Sequence, residues 1–303
     1  MYYVASQIKD SEALEYDNPA VKPFIEKIQP DITPLFAPQK GEMIESWDLE
    51  ELAKESTHYI LDIVQHMLSK SPSSYEYLSC IKDACLDKQL LNIDIHTLNH
   101  DLLLEQCLAQ NGLRIIDGFT SPQNEMRYWD PTLFDTQDCK IRFIKLHGSL
   151  NWFRFRPING SWDNEYIGIR ADNGQERMPE LIDRRPIVLA GTFNKMLDYT
   201  AGIYTDLHYQ FYNSLRMTSV MVVSGYSFRD RGINNRIIDW FYSSLNNRIV
   251  VIHPEQHKLK SGARGSISNK WDHWIKAKRL LPIEKPIEDT SWQDVQSLLA
   301  NDI

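Results

Sequence analysis

Apolar positions change their spacing along the chain, and the change separates a helical region from a region of alternating strands and helices. From Asp48 to Leu68 they recur every three or four residues, which predicts an amphipathic helix that ends before Ser71-Pro72. A second helix is predicted over residues 75–86. Residues 1–46 contain five prolines and only loose periodicity, so we expect an irregular arm there.

After residue 90 the apolar residues form short, nearly continuous runs separated by helical patterns. The runs predict five strands, at 92–97, 141–147, 186–191, 219–225 and 248–254. Helical spacing follows the first run, precedes the fourth and separates the fourth from the fifth. Such runs are typical of strands that are covered on both faces. The fold class is therefore predicted as α/β, with a doubly wound, mainly parallel, Rossmann-like sheet.

Two local patterns complete the predicted organisation. Alternating aromatic residues on both sides of Asn159-Gly160 predict an inserted β-hairpin over 152–178. Ser291 and Asp294 have the spacing of a capping box and predict a C-terminal helix. We thus expect three parts: an N-terminal arm and helical region over 1–90, an α/β domain with the hairpin insertion over 91–285, and the C-terminal helix over 286–303.

Composition excludes several classes of function. The formal net charge is -8 and the densest basic group is Lys276-Ala277-Lys278-Arg279, which argues against direct nucleic acid binding. Apolar runs are far shorter than the roughly 20 residues of a membrane helix, and the first ten residues lack the features of a secretory signal. A cytoplasmic protein that does not bind membranes is expected.

The four cysteines fit no common zinc pattern. Cys80 and Cys85 are close enough for a helical turn to bring them together, but buried free thiols in a reducing cytosol are the favoured interpretation. All four precede His147 in the chain. We therefore predict no metal site and no zinc.

Candidate chemistry lies at the carboxyl ends of the predicted strands, where open α/β sheets bind ligands. Small, amide, hydroxyl or titratable residues follow four of the five strands, and they include Thr97, Asn99, Asp101, His147, Gly191, Thr192, Gly225 and Ser227. A histidine that ends a core strand just before glycine is placed to act as a general base or to hold a sugar hydroxyl. Taken alone, such a histidine more often bonds only to its own turn, and the other strand ends favour a functional role.

Three segments in this order, "TLNHDLLLE" (97–105), "KLHGSLNW" (145–152) and "GYSFRDRGIN" (225–234), resemble the sirtuin-like superfamily. The resemblance is to the prokaryotic silent-information-regulator-like branch of antiphage defence, and it covers roughly residues 91–255. It implies a doubly wound NAD-binding fold and hydrolysis of NAD to nicotinamide and ADP-ribose. "DGF" at 117–119 and "GT" at 191–192 are also similar to that group.

The resemblance implies roles for individual residues. Asn99 and His147 match the catalytic pair, and Asp101 matches the aspartate that holds the nicotinamide carboxamide. Gly225 and Ser227 match the contact to the adenosine side. Thr97, Gly191, Thr192 and Asn234 complete the residues expected to bind NAD. An alternative for Asn99 and Asp101 is that they only cap the helix that follows.

Two departures from the family's pattern leave two functions open. No cysteines follow His147 to build the zinc ribbon of sirtuin deacylases, so protein deacylation is not expected. Residues 1–111 hold one glycine, Gly41, so the glycine-rich loop that approaches the NAD pyrophosphate is missing. The chain is either an NAD-cleaving enzyme or a catalytically inactive relative that regulates or assembles with others. A truncated start, a site completed by another subunit, or binding of only the nicotinamide half would explain the missing loop. Homo-oligomers and a complex with another defence subunit, an ATPase among the candidates, are the expected assemblies.

Overall fold

The computed structural model describes most of the chain after residue 64. The chain divides into two compact units, residues 1–68 with 190–193, and residues 69–189 with 194–303. The second unit contains the elements discussed below. The arm at 1–46 and nearly all of the helix predicted over 48–68 lie outside the described residues. Those residues are 65–70, 72–123, 126–136, 139–156, 165–170, 180–182, 185–189 and 199–300.

The described elements are ten strands, eight α-helices and three short 3-10 helices. The strands are β1 Ile93–Thr97, β2 Ile115–Ile116, β3 Met126–Tyr128, β4 Ile141–Lys145, β5 Phe153–Arg156, β6 Tyr166–Arg170, β7 Glu180–Leu181, β8 Val220–Ser224, β9 Arg248–Ile252 and β10 Leu280–Ile283. The α-helices are α1 Ser79–Leu86, α2 Leu103–Gln110, α3 Ile203–Met217, α4 Arg231–Ser243, α5 Gln256–Gly262, α6 Gly265–Ser268, α7 Trp271–Lys276 and α8 Trp292–Ala300. Short 3-10 helices cover Glu76–Leu78, Pro131–Asp135 and Ile287–Asp289.

The predicted α/β class with parallel strands is confirmed. Among the described residues, one parallel sheet has the order β1-β4-β2 and a second has the order β10-β9-β8. β1 pairs with β4 from Ile93 opposite Ile141 to Thr97 opposite Lys145. Because the pairing is parallel, the chain leaves β1 and β4 at the same edge of the sheet.

The predicted third strand, at 186–191, is wrong within its described part. Val188 forms only an isolated antiparallel bridge with Gly148. The Leu189 N–H donates to the His147 carbonyl at 2.8 Å, and the Ser149 N–H donates to the Ile187 carbonyl at 3.0 Å. The segment therefore pairs with the turn that follows β4. That turn supplies the backbone donors and acceptors which a neighbouring parallel strand would otherwise have supplied.

The predicted hairpin is present, within a larger antiparallel sheet. β5 and β6 pair antiparallel, with Phe153 opposite Gly168, and the sheet has the order β3-β6-β5-β7. The Asn159-Gly160 turn lies outside the described residues. β3, with three residues, and β7, with two, are too short for a periodicity argument to detect.

A large apolar cluster contains residues of both parallel sheets, of the antiparallel sheet and of several helices. Its largest members include Trp271, Trp274, Phe228 and Phe241. Trp271 and Trp274 lie on α7, and residues 256–276 form three short helices that the apolar spacing did not predict. The edge strand β10, paired in parallel with β9, was also not predicted.

Two smaller predictions concern the cysteines and the C-terminal helix. Cys80 and Cys85 are buried free thiols, and burial raises the pKa of each to about 11, so both thiols are protonated at neutral pH. The Ser291 hydroxyl and the Asp294 carboxylate each accept the other residue's backbone N–H, at 3.1 and 2.9 Å, which completes the capping box before α8.

In the described part of the chain, no helix combines the length and apolar character required to cross a membrane.

Candidate functional site

Asn99 and His147 occupy equivalent places after two paired strands. Thr97 and Lys145 are opposite each other at the ends of β1 and β4, and the two candidate residues each follow two positions later. The loop after β1 packs on the turn after β4, because the His100 carbonyl accepts the Leu150 N–H at 3.0 Å. The rings of His100 and His147 lie 6.4 Å apart between centroids. The two loops therefore bring residues 97–101 and 147–150 together.

A hydrogen bond between residues two apart in the chain shapes the loop that carries Asn99. The Asn99 N–H donates to Thr97 Oγ1 at 3.0 Å, and the Asn99 side chain is exposed. The Asp101 carboxylate accepts the Leu103 N–H at 3.1 Å, at the start of α2. The N-cap of α2 is Leu102, so Asp101 closes a turn just before the helix, and Thr97 holds the turn around Asn99.

A buried lysine on β4 holds the same loop in place. Lys145 is 3% exposed, and its Nζ lies 2.7 Å from Glu105 Oε1 on α2. The ammonium also donates to the carbonyl oxygens of Asp101 and of His100, the latter at 3.4 Å. Burial lowers the pKa of Lys145 and raises that of Glu105, while the attraction between the two opposes both shifts. Lys145 thus connects β4, α2 and the loop through one charged group.

His147 is held by a chain of two further side chains. Its Nε2 lies 2.8 Å from the Tyr199 hydroxyl, and that hydroxyl lies 2.6 Å from Asp230 Oδ2. The distance from His147 Nε2 to Asp230 Oδ2 is 3.7 Å. Asp230 also caps α4, because its Oδ1 accepts the Ile233 N–H at 3.1 Å. The chain therefore runs from a helix N-terminus to the histidine at the end of β4.

Tyr199 is packed between two histidine rings. Its ring stacks on His147 with 5.8 Å between centroids and lies 3.8 Å from the ring of His208 on α3. Burial lowers the pKa of His208 to about 4, although the Asp230 carboxylate opposes the shift, so His208 is neutral at physiological pH. Gly232 leaves room for the tyrosine, since a Cβ there would lie 2.6 Å from the Tyr199 ring.

Gly148 is required by the turn that carries His147. Its φ is +85°, and a Cβ at this position would lie 2.1 Å from the Ile187 carbonyl oxygen. Both the left-handed backbone and the close approach of the 187–189 segment exclude larger residues. In the structure the 187–189 segment occupies the side of Gly148 that a Cβ would take.

Three of the remaining candidate residues, Gly225, Ser227 and Asn234, lie in or next to the turn after β8. Gly225, with φ of +68°, and Ser227 are exposed there. Asn234 is 0% exposed, and its amide donates to the Phe228 carbonyl at 2.7 Å and accepts from the Tyr226 hydroxyl at 2.7 Å. Asn234 thus supports this turn from inside. Gly191 and Thr192 lie outside the described residues.

The sequence reasoning did not identify Tyr199, Asp230 or Lys145. Asp230 was inside a quoted motif and precedes a predicted helix, so its capping position was a signal that could have been used. Tyr199 lies 52 residues from His147 in the chain and had no such signal. Among the described residues, no group of three or more His, Cys, Asp or Glu side chains is arranged to hold a metal ion.

The arrangement supports proton transfer near a polar ligand. His147 is 4% exposed, and it reaches a carboxylate through the Tyr199 hydroxyl. Asn99 on the loop after β1 is exposed, and so are Gly225 and Ser227 after β8. Open α/β sheets bind ligands at the carboxyl ends of their parallel strands, where these groups lie.

The family model of the SIR2-like domain matches residues 94–273, well over half of the chain. The protein therefore belongs to the SIR2-like domain family, within the sirtuin-like superfamily, and this membership supports an NAD-related function. The matched region contains the loop after β1, the His147 turn after β4 and the turn after β8. A search of curated proteins gave no match to this chain.

Proposed function

We propose that this protein is an NAD glycohydrolase that converts NAD to nicotinamide and ADP-ribose. The observation that carries the proposal is the position of Asn99 and His147, each two residues beyond the paired ends of β1 and β4. Family membership supplies the substrate class, and the paired positions supply an amide and an imidazole at one sheet edge.

The residue types suit this reaction. When the bond between nicotinamide and ribose breaks, positive charge develops on the ribose and water adds at the same carbon. In our proposal the Asn99 amide orders that water and His147 accepts its proton, while nicotinamide leaves as a neutral molecule. General base catalysis of this kind typically contributes about 10²–10⁴ to the rate.

Other residues would hold NAD in this scheme. Asp101 would contact the nicotinamide carboxamide, and Gly225 and Ser227 would contact the adenosine side, where both are exposed in the structure. Thr97, Gly191, Thr192 and Asn234 belong to the same proposed set. Because Asn234 is fully buried, its contribution would be to support the turn. No zinc is required for these steps.

The biological setting follows the resemblance to the antiphage-defence branch. We propose that the protein acts in the cytoplasm, where its activity would deplete an infected cell of NAD. A homo-oligomer or a complex with a second defence subunit would complete the dinucleotide site, because the chain has a single glycine before residue 112.

A second function is favoured by the low exposure of the histidine. His147 is 4% exposed, and the 187–189 segment covers its turn, which suits a catalytically inactive subunit that regulates or assembles with others. Such a subunit would retain the fold without turnover. We place it second because the amide and imidazole positions are both retained.

The test is release of nicotinamide from NAD by the purified full chain, alone and with any protein that co-purifies. We expect Asn99→Ala and His147→Ala each to lower the rate by at least about a hundredfold. Asn246→Ala and His257→Ala, at exposed positions before β9 and on α5, are the matched controls and should retain the rate. Absence of both turnover and any NAD-induced rise in melting temperature would reject the enzyme. A rise in melting temperature without turnover would favour the inactive subunit.

A further inference from the structure

We infer that Tyr199 and Asp230 are positioning residues that hold His147 in one tautomer, with its proton on Nε2. The inference rests on the proposed function for its consequence in catalysis, but its structural content is independent of that function.

The direction of the hydrogen bonds follows from the number of protons available. An ionised carboxylate only accepts hydrogen bonds, and a tyrosine hydroxyl has a single proton to donate. Because the Tyr199 hydroxyl lies 2.6 Å from Asp230 Oδ2, its proton is used in that bond. The tyrosine oxygen must then accept from His147 Nε2, which lies 2.8 Å away. A neutral imidazole with its proton on Nε2 has its basic lone pair on Nδ1.

The surroundings hold this arrangement in place. Asp230 cannot rotate easily, because its other oxygen accepts the Ile233 N–H at the start of α4. Tyr199 is held between the rings of His147 and His208. The absence of a side chain at Gly232 leaves space for its ring. Asp230 and Gly232, on either side of Arg231 at the start of α4, therefore both position Tyr199: the first accepts its hydrogen bond and the second leaves space for its ring.

The arrangement also stabilises the protonated form of His147. When Nδ1 accepts a proton, the imidazolium charge lies with Nε2 at 3.7 Å from Asp230 Oδ2. A buried carboxylate that orients a histidine and stabilises its charged form through one ring nitrogen is the principle of a catalytic triad. In this protein the tyrosine hydroxyl stands between the carboxylate and the ring.

Asp230→Asn gives the sharpest test, because the helix cap decides which way the amide faces. The asparagine oxygen would remain at the Ile233 N–H, since Asn caps helices as well as Asp. Its NH₂ group would then face Tyr199 and donate to the tyrosine oxygen. The tyrosine proton would turn to His147 Nε2, and the imidazole proton would move to Nδ1. Tyr199→Phe removes the intermediate hydroxyl and should give a mixture of tautomers.

The measurement is ¹⁵N NMR of the full chain with labelled histidine at pH 8, with the His147 signals assigned by their loss in His147→Gln. We expect Nε2–H in the wild type, Nδ1–H in Asp230→Asn and both forms in Tyr199→Phe. Asp130→Asn, at another capping aspartate, and Tyr242→Phe, at an exposed tyrosine, are the matched controls and should leave the wild-type signals unchanged. Melting curves identify any variant that fails to fold.

Nicotinamide release is measured on the same samples. We expect a loss of at least about a hundredfold for Asp230→Asn and about tenfold for Tyr199→Phe, mainly in kcat, with both controls near the wild-type rate. A wild-type Nδ1–H tautomer, or an unchanged Nε2–H tautomer in folded Asp230→Asn, would overturn the inference. If the tautomers respond as expected but the wild type does not cleave NAD, the proposed function fails and the positioning of His147 stands.

Discussion

Replacement of Lys145 by methionine tests how the loop after β1 is held in place. The lysine is 3% exposed and its Nζ contacts Glu105 Oε1 at 2.7 Å and two loop carbonyls, those of His100 and Asp101. Methionine has a similar length and apolar stem but no charge. The substitution therefore removes one partner of a buried ion pair and little of the packing.

The expected loss of stability follows from the contacts. Removal of one partner of a buried ion pair typically costs about 3–5 kcal/mol, because the other charge remains buried without compensation. The Glu105 side chain is 21% exposed, so water relieves part of this cost. We therefore expect Lys145→Met to lower the free energy of unfolding by about 2–4 kcal/mol near neutral pH.

The cost should depend on pH in a defined direction. Burial raises the pKa of Glu105, and the charge of Lys145 is the largest opposing influence. Without Lys145 the pKa of Glu105 rises further above its unfolded value. A carboxyl with a raised pKa in the folded state loses stability as the pH rises from the unfolded pKa through the folded one. The loss should thus be larger at pH 8 than at pH 5, where protonation of Glu105 relieves it.

Urea unfolding followed by tryptophan fluorescence measures both effects, with the m-value as a check on two-state behaviour. Lys260→Met, in the exposed pair with Asp272, is the matched control and should cost under about 1 kcal/mol. The double variant Lys145→Met/Glu105→Gln should recover about 1–3 kcal/mol of the loss. A loss under about 1 kcal/mol at pH 8, or equal losses at pH 5 and pH 8, would refute the role given to Lys145.

Two further predictions concern a turn and a helix cap. Gly148→Ala should lower the free energy of unfolding by more than about 3 kcal/mol, because its Cβ would lie 2.1 Å from the Ile187 carbonyl oxygen. The control is Gly112→Ala, where φ is +68° but the Cβ would meet open space. In the same urea titration it should lower the free energy of unfolding by only about 1–2 kcal/mol. Hydrogen bonds from Ser291 lower the pKa of Asp294, so its contribution to stability is present above the unfolded pKa and is lost as the pH falls through the folded one. Asp294→Asn should therefore make the decline of melting temperature below pH 5 shallower, and an unchanged decline would contradict this.

Local structure could be predicted where one short segment carries its own physical reason. The run Ile141–Lys145 is predicted as a strand from its three large apolar residues, Ile141, Phe143 and Ile144, all of which are buried, and β1, β8 and β9 were found on the same basis. The capping box at Ser291 and Asp294 needs only residues three apart, and it was found for that reason. Short elements such as β7, with two residues, contain no period that could be detected.

The sequence by itself determined the α/β class, most strand and helix positions, the capping box, and the residues that follow each strand. These follow from the spacing of apolar residues, which reports burial without reference to any partner. Only the tertiary structure decided that residues 187–189 pair with the turn after β4, and that Lys145 is a buried charge rather than an exposed end of its strand. It alone brought Tyr199 and Asp230 to His147, because contacts across 52 and 31 residues of chain depend on how helices and sheets pack.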